Sequence, residues 1–196
     1  MAYLSSKVSI ISQALFLLGR PPISTLDTTN TLHTGASQRY DVVVPSLLTE
    51  THWKHAGKTA VLTKLTDESP STEWANVFQL PNKAEMLLTY RVIPANYSYE
   101  IMRDKLYTNQ NSVTLFYIFE PTPDQFPIYF VDFLVYVMAS QLAMAVTQNL
   151  ELASMWAKEA EKKGMAAMAA DWQQAPNRSV MYDSLTAIHR SSGGLI

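Results

Sequence analysis

The sequence predicts an α+β chain, mainly α: a helical bundle with an inserted small antiparallel β-sheet and an extended C-terminal arm. Three observations predict it. Residues 6–18, 34–52, 126–148 and 150–172 repeat apolar positions at the three-and-four spacing of a buried helical face. Between the second and third of these, short runs alternate with a period of two and are separated by polar turn residues. Beyond residue 172 the periodicity gives way to Pro176, Asn177, Ser191, Ser192, Gly193 and Gly194. The expected organisation is a discontinuous helical domain (1–57 and 124–172), a β-rich insert (58–123) and an arm (173–196).

The elements follow in order. In the first helix Val8, Ile11, Leu15 and Leu18 share a face, Ser5 or Ser6 can cap its start, and Gly19 suits the left-handed position after its end. The second helix carries Tyr40, Val43, Val44, Leu47, Leu48 and Thr51 on one side. Pro45 inside it removes the N–H that would reach the Asp41 carbonyl, which predicts a kink, with the apolar spacing resuming on another face. "TAVLTKL" (59–65), "EMLLTYRVIP" (85–94) and "YSYEIMR" (97–103) read as strands, and "TDESPST" (66–72) as a polar loop. "DKLYTNQNSVTLFYIFE" (104–120) reads as strand, turn, strand, with Asn109-Gln110-Asn111 as the turn. All of these are expected in one sheet. "PTPDQFP" ends it, with Asp124 a candidate cap for the third helix. In the fourth helix Ala153, Ala157, Ala160, Gly164 and Ala167 form a stripe of small residues that admits another helix closely. Lys158, Glu159, Glu161, Lys162 and Lys163 form a solvated face.

Composition narrows the function. Hydrophobic residues make up 47% of the chain and charged residues only 16%, below the roughly 25% of an average soluble domain. So little charge leaves much surface to be covered by other subunits, and the abundant Tyr, Met and Trp suit interface cores. The net charge of −2 and the absence of any Lys/Arg run longer than Lys162-Lys163 argue against high-affinity nucleic-acid binding. Cysteine is absent, which excludes disulfides, thiolate zinc sites and iron–sulfur clusters.

The stretch "FLLGRPPISTLD" (16–27) admits three readings: a signal-peptide end, a phosphate loop or a helix-packing corner. Ser9, Ser12 and Gln13 interrupt the apolar run after Lys7 and no small-x-small cleavage site follows. One glycine and two prolines leave too few backbone donors for phosphate. The corner remains, with Ile23 and Leu26 folding back on the helices. The apolar stretch 126–146 is long enough to cross a bilayer. Its polar stripe of Asp132, Tyr136, Ser140 and Thr147 instead suits a buried helix of an assembly, and no membrane span is expected.

No catalytic, metal or cofactor constellation is expected. Glu50, His52 and His55 gather near a helix end but lack a further ligand, and Trp53 beside them points to packing. His33 and His189 are isolated. Asp67-Glu68 and the pair Glu120 and Asp124 read as solvated loop acids. Trp53, Trp74, Phe78, Trp156 and Trp172 lack the basic groove that base stacking requires.

Taken in order, "ALFLLGRPPISTLD", "YDVVVPSLLTETHWKHA", "WANVFQLPNKAEML", "YEIMRDKLYTNQNSVTLFYIFEP" and "DFLVYVMASQLAMAVTQN" resemble the head–tail adaptor proteins of short-tailed bacteriophages, the tail tubular protein A type. Proteins of that family have a helix ending in Leu-Gly-x-x-Pro-Ile, a helix ending near His-x-Trp-x-x-Ala, a Trp-x-x-x-(Tyr/Phe)-x-Leu-Pro corner, then strands and a penultimate helix rich in Leu and Ala. The likeness spans about Ala14 to Asn149 and departs at Pro45 and Asn82.

The resemblance implies a virion protein made in the host cytoplasm. It implies a homo-oligomeric ring, typically a dodecamer, beneath the portal protein. The ring's lower face would receive a tail nozzle of the tail tubular protein B type and often tail fibres. Viral DNA would pass through the lumen without sequence-specific binding, which the net negative charge suits. The helical part would form the ring wall. The arm, through Val180, Met181, Tyr182, Leu185, Ile188, Leu195 and Ile196, would reach the portal. Two alternatives stand beside it: a tail-associated peptidoglycan hydrolase using Glu120 and Asp124, and a soluble oligomeric interaction protein with an unknown partner.

Overall fold

The computed structural model describes residues 5–66, 73–82, 85–95 and 97–174. Four helices, α1 (Lys7–Leu17), α2 (Thr31–Glu50), α3 (Ile128–Thr147) and α4 (Leu150–Trp172), surround one hydrophobic core. Between α2 and α3 run seven short strands: β1 (Gly57–Val61), β2 (Thr63–Lys64), β3 (Asn76–Gln79), β4 (Leu88–Ile93), β5 (Tyr99–Met102), β6 (Lys105–Thr108) and β7 (Thr114–Ile118). The fold is α+β and mainly α, as the periodicities predict.

The helices form where the apolar spacing places them, and their ends follow local chemistry. Ser6 caps α1 by accepting from the Ser9 amide. Leu18 closes that helix and Gly19 follows at φ +76°, a left-handed turn that a Cβ would strain. Asn30 accepts from the Leu32 and His33 amides at the start of α2. Asn149 does the same for Leu152 at the start of α4, directly after Gln148 turns the chain in the left-handed region. α2 runs on through Pro45. The buried positions Val43 and Val44 before it and Leu47 and Leu48 after it keep the same spacing, so the apolar face does not shift as expected. Asp124 does not cap α3. It lies in a short 3₁₀ turn (Pro123–Gln125) held by the reciprocal bonds of Thr122 and Gln125, and α3 begins after Pro127.

α3 is central. It packs against α1, α2 and α4, and ten of its residues, from Phe130 to Val146, are buried. It is the one described helix long and apolar enough to cross a membrane. Here its apolar positions form the middle of the core, consistent with the narrow polar stripe. Ser5 Oγ donates to the Pro123 carbonyl near the start of α3, and Arg20 donates to the Val146 carbonyl at its end, so α1 and α3 run parallel. α2 and α4 run antiparallel to α3. Arg39 meets Gln141 on one side. Lys163 meets Asp132 and Asp171 meets Tyr129 on the other.

The strands form two antiparallel sheets, not the single sheet the spacing suggests. One has the order β1-β7-β4, the other β2-β3-β6-β5. The run 59–65 breaks at Leu62, where the chain passes from one sheet to the other. The Leu62 amide donates to Val113, three residues before the Leu65 amide donates to Val77. Leu62, Phe78, Leu80, Leu106, Val113, Leu115 and Tyr117 form a second core between the sheets. β6 and β7 are not a hairpin, because β6 pairs with β3 and β5 while β7 pairs with β1 and β4. The tight hairpin is β5–β6, turned at Arg103 (φ 59°) and Asp104. Ile118 joins the helical core, and the Phe119 amide donates to the Ala56 carbonyl, so the β1-β7-β4 sheet is the one seated on the helices.

Candidate interaction surface

A buried carboxylate lies at one end of the α3–α4 interface. Asp171, in the last turn of α4, is 1% exposed. A carboxylate there faces the negative end of the helix dipole. It is held by other donors. Its Oδ2 accepts from the Lys54 amide at 3.0 Å and its Oδ1 from the Tyr129 hydroxyl at 2.8 Å. The carboxylate therefore clamps the turn leaving α2 to the start of α3 and the end of α4. Burial and the Asp171 carboxylate push the Tyr129 hydroxyl up, so it remains a donor.

His55 sits beside this clamp among Trp53, Phe126, Tyr129 and Phe130. Its Nδ1 is 3.6 Å from Asp171 Oδ1, too far for a hydrogen bond, and neither ring nitrogen has a hydrogen-bond partner among the described residues. Burial lowers its pKa, with Asp171 opposing. His52 instead packs its ring on Tyr90, with centroids 3.6 Å apart. The two histidines are thus packed against different aromatic groups rather than facing one another as ligands would.

The candidate acids of the hydrolase reading stand in different surroundings. Glu120 faces the Lys7–Asp41 ion pair. Partial burial and the Asp41 carboxylate raise its pKa, and Lys7 opposes them. Asp124 is exposed on the 3₁₀ turn. Asp67 and Glu68 lie outside the described residues. Trp53 and Phe78 are buried core, as expected of packing aromatics. Trp74 donates to Glu100 and Trp156 packs on Tyr136. Trp172 stands 67% exposed at the end of α4.

What the described surface offers is apolar area. Phe16, Val42, Ile128, Met144, Leu150 and Trp172 each leave more than half of their surface in water on the helical part. The β-rich part exposes Val61, and β5 is exposed along its whole length as an edge strand. Shallow grooves run along both sides of α3. One lies between α1 and α3 beside Gln13, Phe16 and Tyr136, the other between α2 and α3 beside Leu32, Arg39 and Gln141. The arm residues Val180, Met181, Tyr182, Leu185, Ile188, Leu195 and Ile196 lie outside the described residues.

Sequence reasoning missed the Asp171 clamp. The signal was present: an acidic residue in the final helical turn, where the dipole disfavours it, calls for a buried donor nearby.

The chain matches no protein-family model, and it matches none of the curated proteins.

Proposed function

We propose that the protein is a structural head-to-tail adaptor of a short-tailed phage virion. It assembles as a ring under the portal, most naturally a dodecamer, receives the tail nozzle and at times tail fibres below, and lets DNA pass through its lumen. The observation that carries this reading is the breadth of exposed apolar surface in a chain with 16% charged residues. Large apolar side chains left in water on both the helical and the β-rich parts, in a chain so poor in charge, support surfaces that other chains cover.

The order of motifs supports the same reading. Leu18-Gly19 ends α1 in a left-handed turn, and the Ser12 hydroxyl accepts from the Ile23 amide, folding the proline exit back on α1. Trp53 donates to the Leu47 carbonyl and fixes the end of α2. Leu80 before Pro81 closes the core between the sheets. The helical part is the ring wall in this reading, and residues 173–196 are the arm that grips the portal.

The test is removal of residues 175–196. The truncated chain should stay folded, unfolding in one cooperative transition, and lose co-sedimentation with assembled portal protein from the same phage. Normal attachment of the truncated chain would remove the arm from the account.

A further inference from the structure

On the α1 side of α3 two hollows, of about 310 and 290 Å³, share Gln13 and Asp132 in their walls and so form one trough. Ile128 and Tyr129 form its lip. Asp132 stands in the middle, and Phe16, Leu17 and Tyr136 line its far end. From Tyr129 to Tyr136 the helix advances about 10 Å, at 1.5 Å per residue. Three or four extended residues cover that length at ~3.3 Å each. The walls are apolar and wet: Phe16 is 66% and Ile128 61% exposed. Among the described lining residues the charged one is Asp132, whose carboxylate is paired at 2.6 Å with Lys163 from the α4 side, the ammonium also lying over the Tyr136 ring.

The chain delivers its own next segment to this lip. Because α4 runs antiparallel to α3, its end returns to the start of α3, and Gln174 Nε2 donates to the Tyr129 hydroxyl at 3.2 Å. The residues that follow are Arg178, then Val180, Met181 and Tyr182. A cation four positions beyond the lip precedes an apolar triplet six to eight positions beyond it. The trough presents its features in the same order, first the anion and then the apolar end. At ~3.3 Å per residue the triplet reaches about 20 Å from Gln174, enough to pass Asp132 and arrive at Phe16.

We propose that residues 178–182 of the chain dock in this trough of the same molecule, Arg178 against Asp132 and Val180–Tyr182 against Phe16, Leu17 and Tyr136. The trough is then the resting seat of the C-terminal segment in the free chain. This stands whether or not the adaptor reading holds, since it concerns the unassembled protein alone.

Trypsin tests it on the full chain, because Arg178 and Arg190 both lie in the segment and only the first is seated. The Arg178–Ser179 bond should be cut at least about tenfold more slowly than Arg190–Ser191, cleavage following the open population. Phe16→Asp should raise cleavage after Arg178 to that of Arg190 while the chain stays folded, losing no more stability than the ~1.4 kcal/mol that a tenfold protection represents, since Phe16 is 66% exposed. The protection should not depend on chain concentration. Equal cleavage at the two sites, protection that survives Phe16→Asp, or protection that disappears on dilution overturns the proposal; the last would place the segment on a neighbouring copy. Nitroxide labels at Met144→Cys on α3, two turns beyond the trough, and at Met181→Cys, clean in a chain without cysteine, provide a second reading. A single narrow distance supports docking, and a broad distribution contradicts it.

Discussion

The two flanks of α3 are solved in opposite ways. Toward α4 the interface is closed. Gly164 brings its backbone against the Phe133 ring, so close that a Cβ would sit 2.9 Å from it, and Ala160 and Ala167 are buried beside it. The Asp171 clamp seals the end. Toward α1 the inner positions Ile10, Ile11, Ala14 and Leu15 are fully packed, but the outer edge stays open, with Phe16 in water above the trough. Small side chains let two helices meet with nothing between them; a large side chain on the rim holds a gap open. The closed flank stabilises the subunit, and the open one leaves apolar surface in water, where the C-terminal segment is proposed to dock.

Substitutions that strike the two flanks unequally test this contrast. The largest effect belongs to Phe130→Ala, which empties the centre of the core where Trp53, His55, Phe126 and Phe133 meet. It should cost about 3–5 kcal/mol in denaturant unfolding. Phe16→Ala on the open flank should stay within about 0.5 kcal/mol. Equal losses would erase the distinction.

Asp171→Ala comes next. It strands the Lys54 amide and the Tyr129 hydroxyl, so a loss of about 2–4 kcal/mol is expected from the same measurement. A neutral result would mean that the clamp carries no stability.

A pair of glycines then gives opposite signs. Gly164→Ala gains helix propensity but drives into Phe133, for a net loss of about 1 kcal/mol. Gly35→Ala, in α2 with nothing within 4 Å of the added Cβ, should stabilise by about 0.5–1 kcal/mol.

The smallest effect is in pH. Burial holds the pKa of His55 below its ordinary value of about 6.5. The unfolded chain therefore takes up the proton first as pH falls. The contribution of His55 is fully present above about pH 6.5 and is lost as pH drops toward the lower folded value. The unfolding midpoint should fall over that range in the parent, and fall less in His55→Phe. An identical slope in both would assign the effect elsewhere.

The four helices were legible because each buries a continuous stripe, and the predicted span 150–172 of α4 matches the observed one. The insert was legible as strands but not as sheets. Asn109-Gln110-Asn111 has the composition of a hairpin turn, yet its polar groups tie it to β3: Asn109 Oδ1 accepts from the Ala75 amide, and Asn76 donates to the Gln110 carbonyl. The true hairpin turns at Arg103, which carries none of the glycine or asparagine that marks a left-handed residue. β3 leaves no strand signature in the sequence before Leu80-Pro81, because a four-residue strand buried at Asn76, Val77 and Phe78 shows no alternation. Which strand pairs with which is decided by contacts distant in sequence, and local spacing holds no record of them. The exposed apolar surface was legible in bulk, from low charge, but not by position.

The central claim is that this chain works by assembling on a portal. The most direct measurement is electron microscopy, with mass determination, of the full chain mixed with assembled portal protein from the same phage. The account predicts a closed ring seated on the portal, with α1–α4 forming its wall and about twelve copies per portal. A chain that stays unbound and monomeric beside intact portal would contradict it.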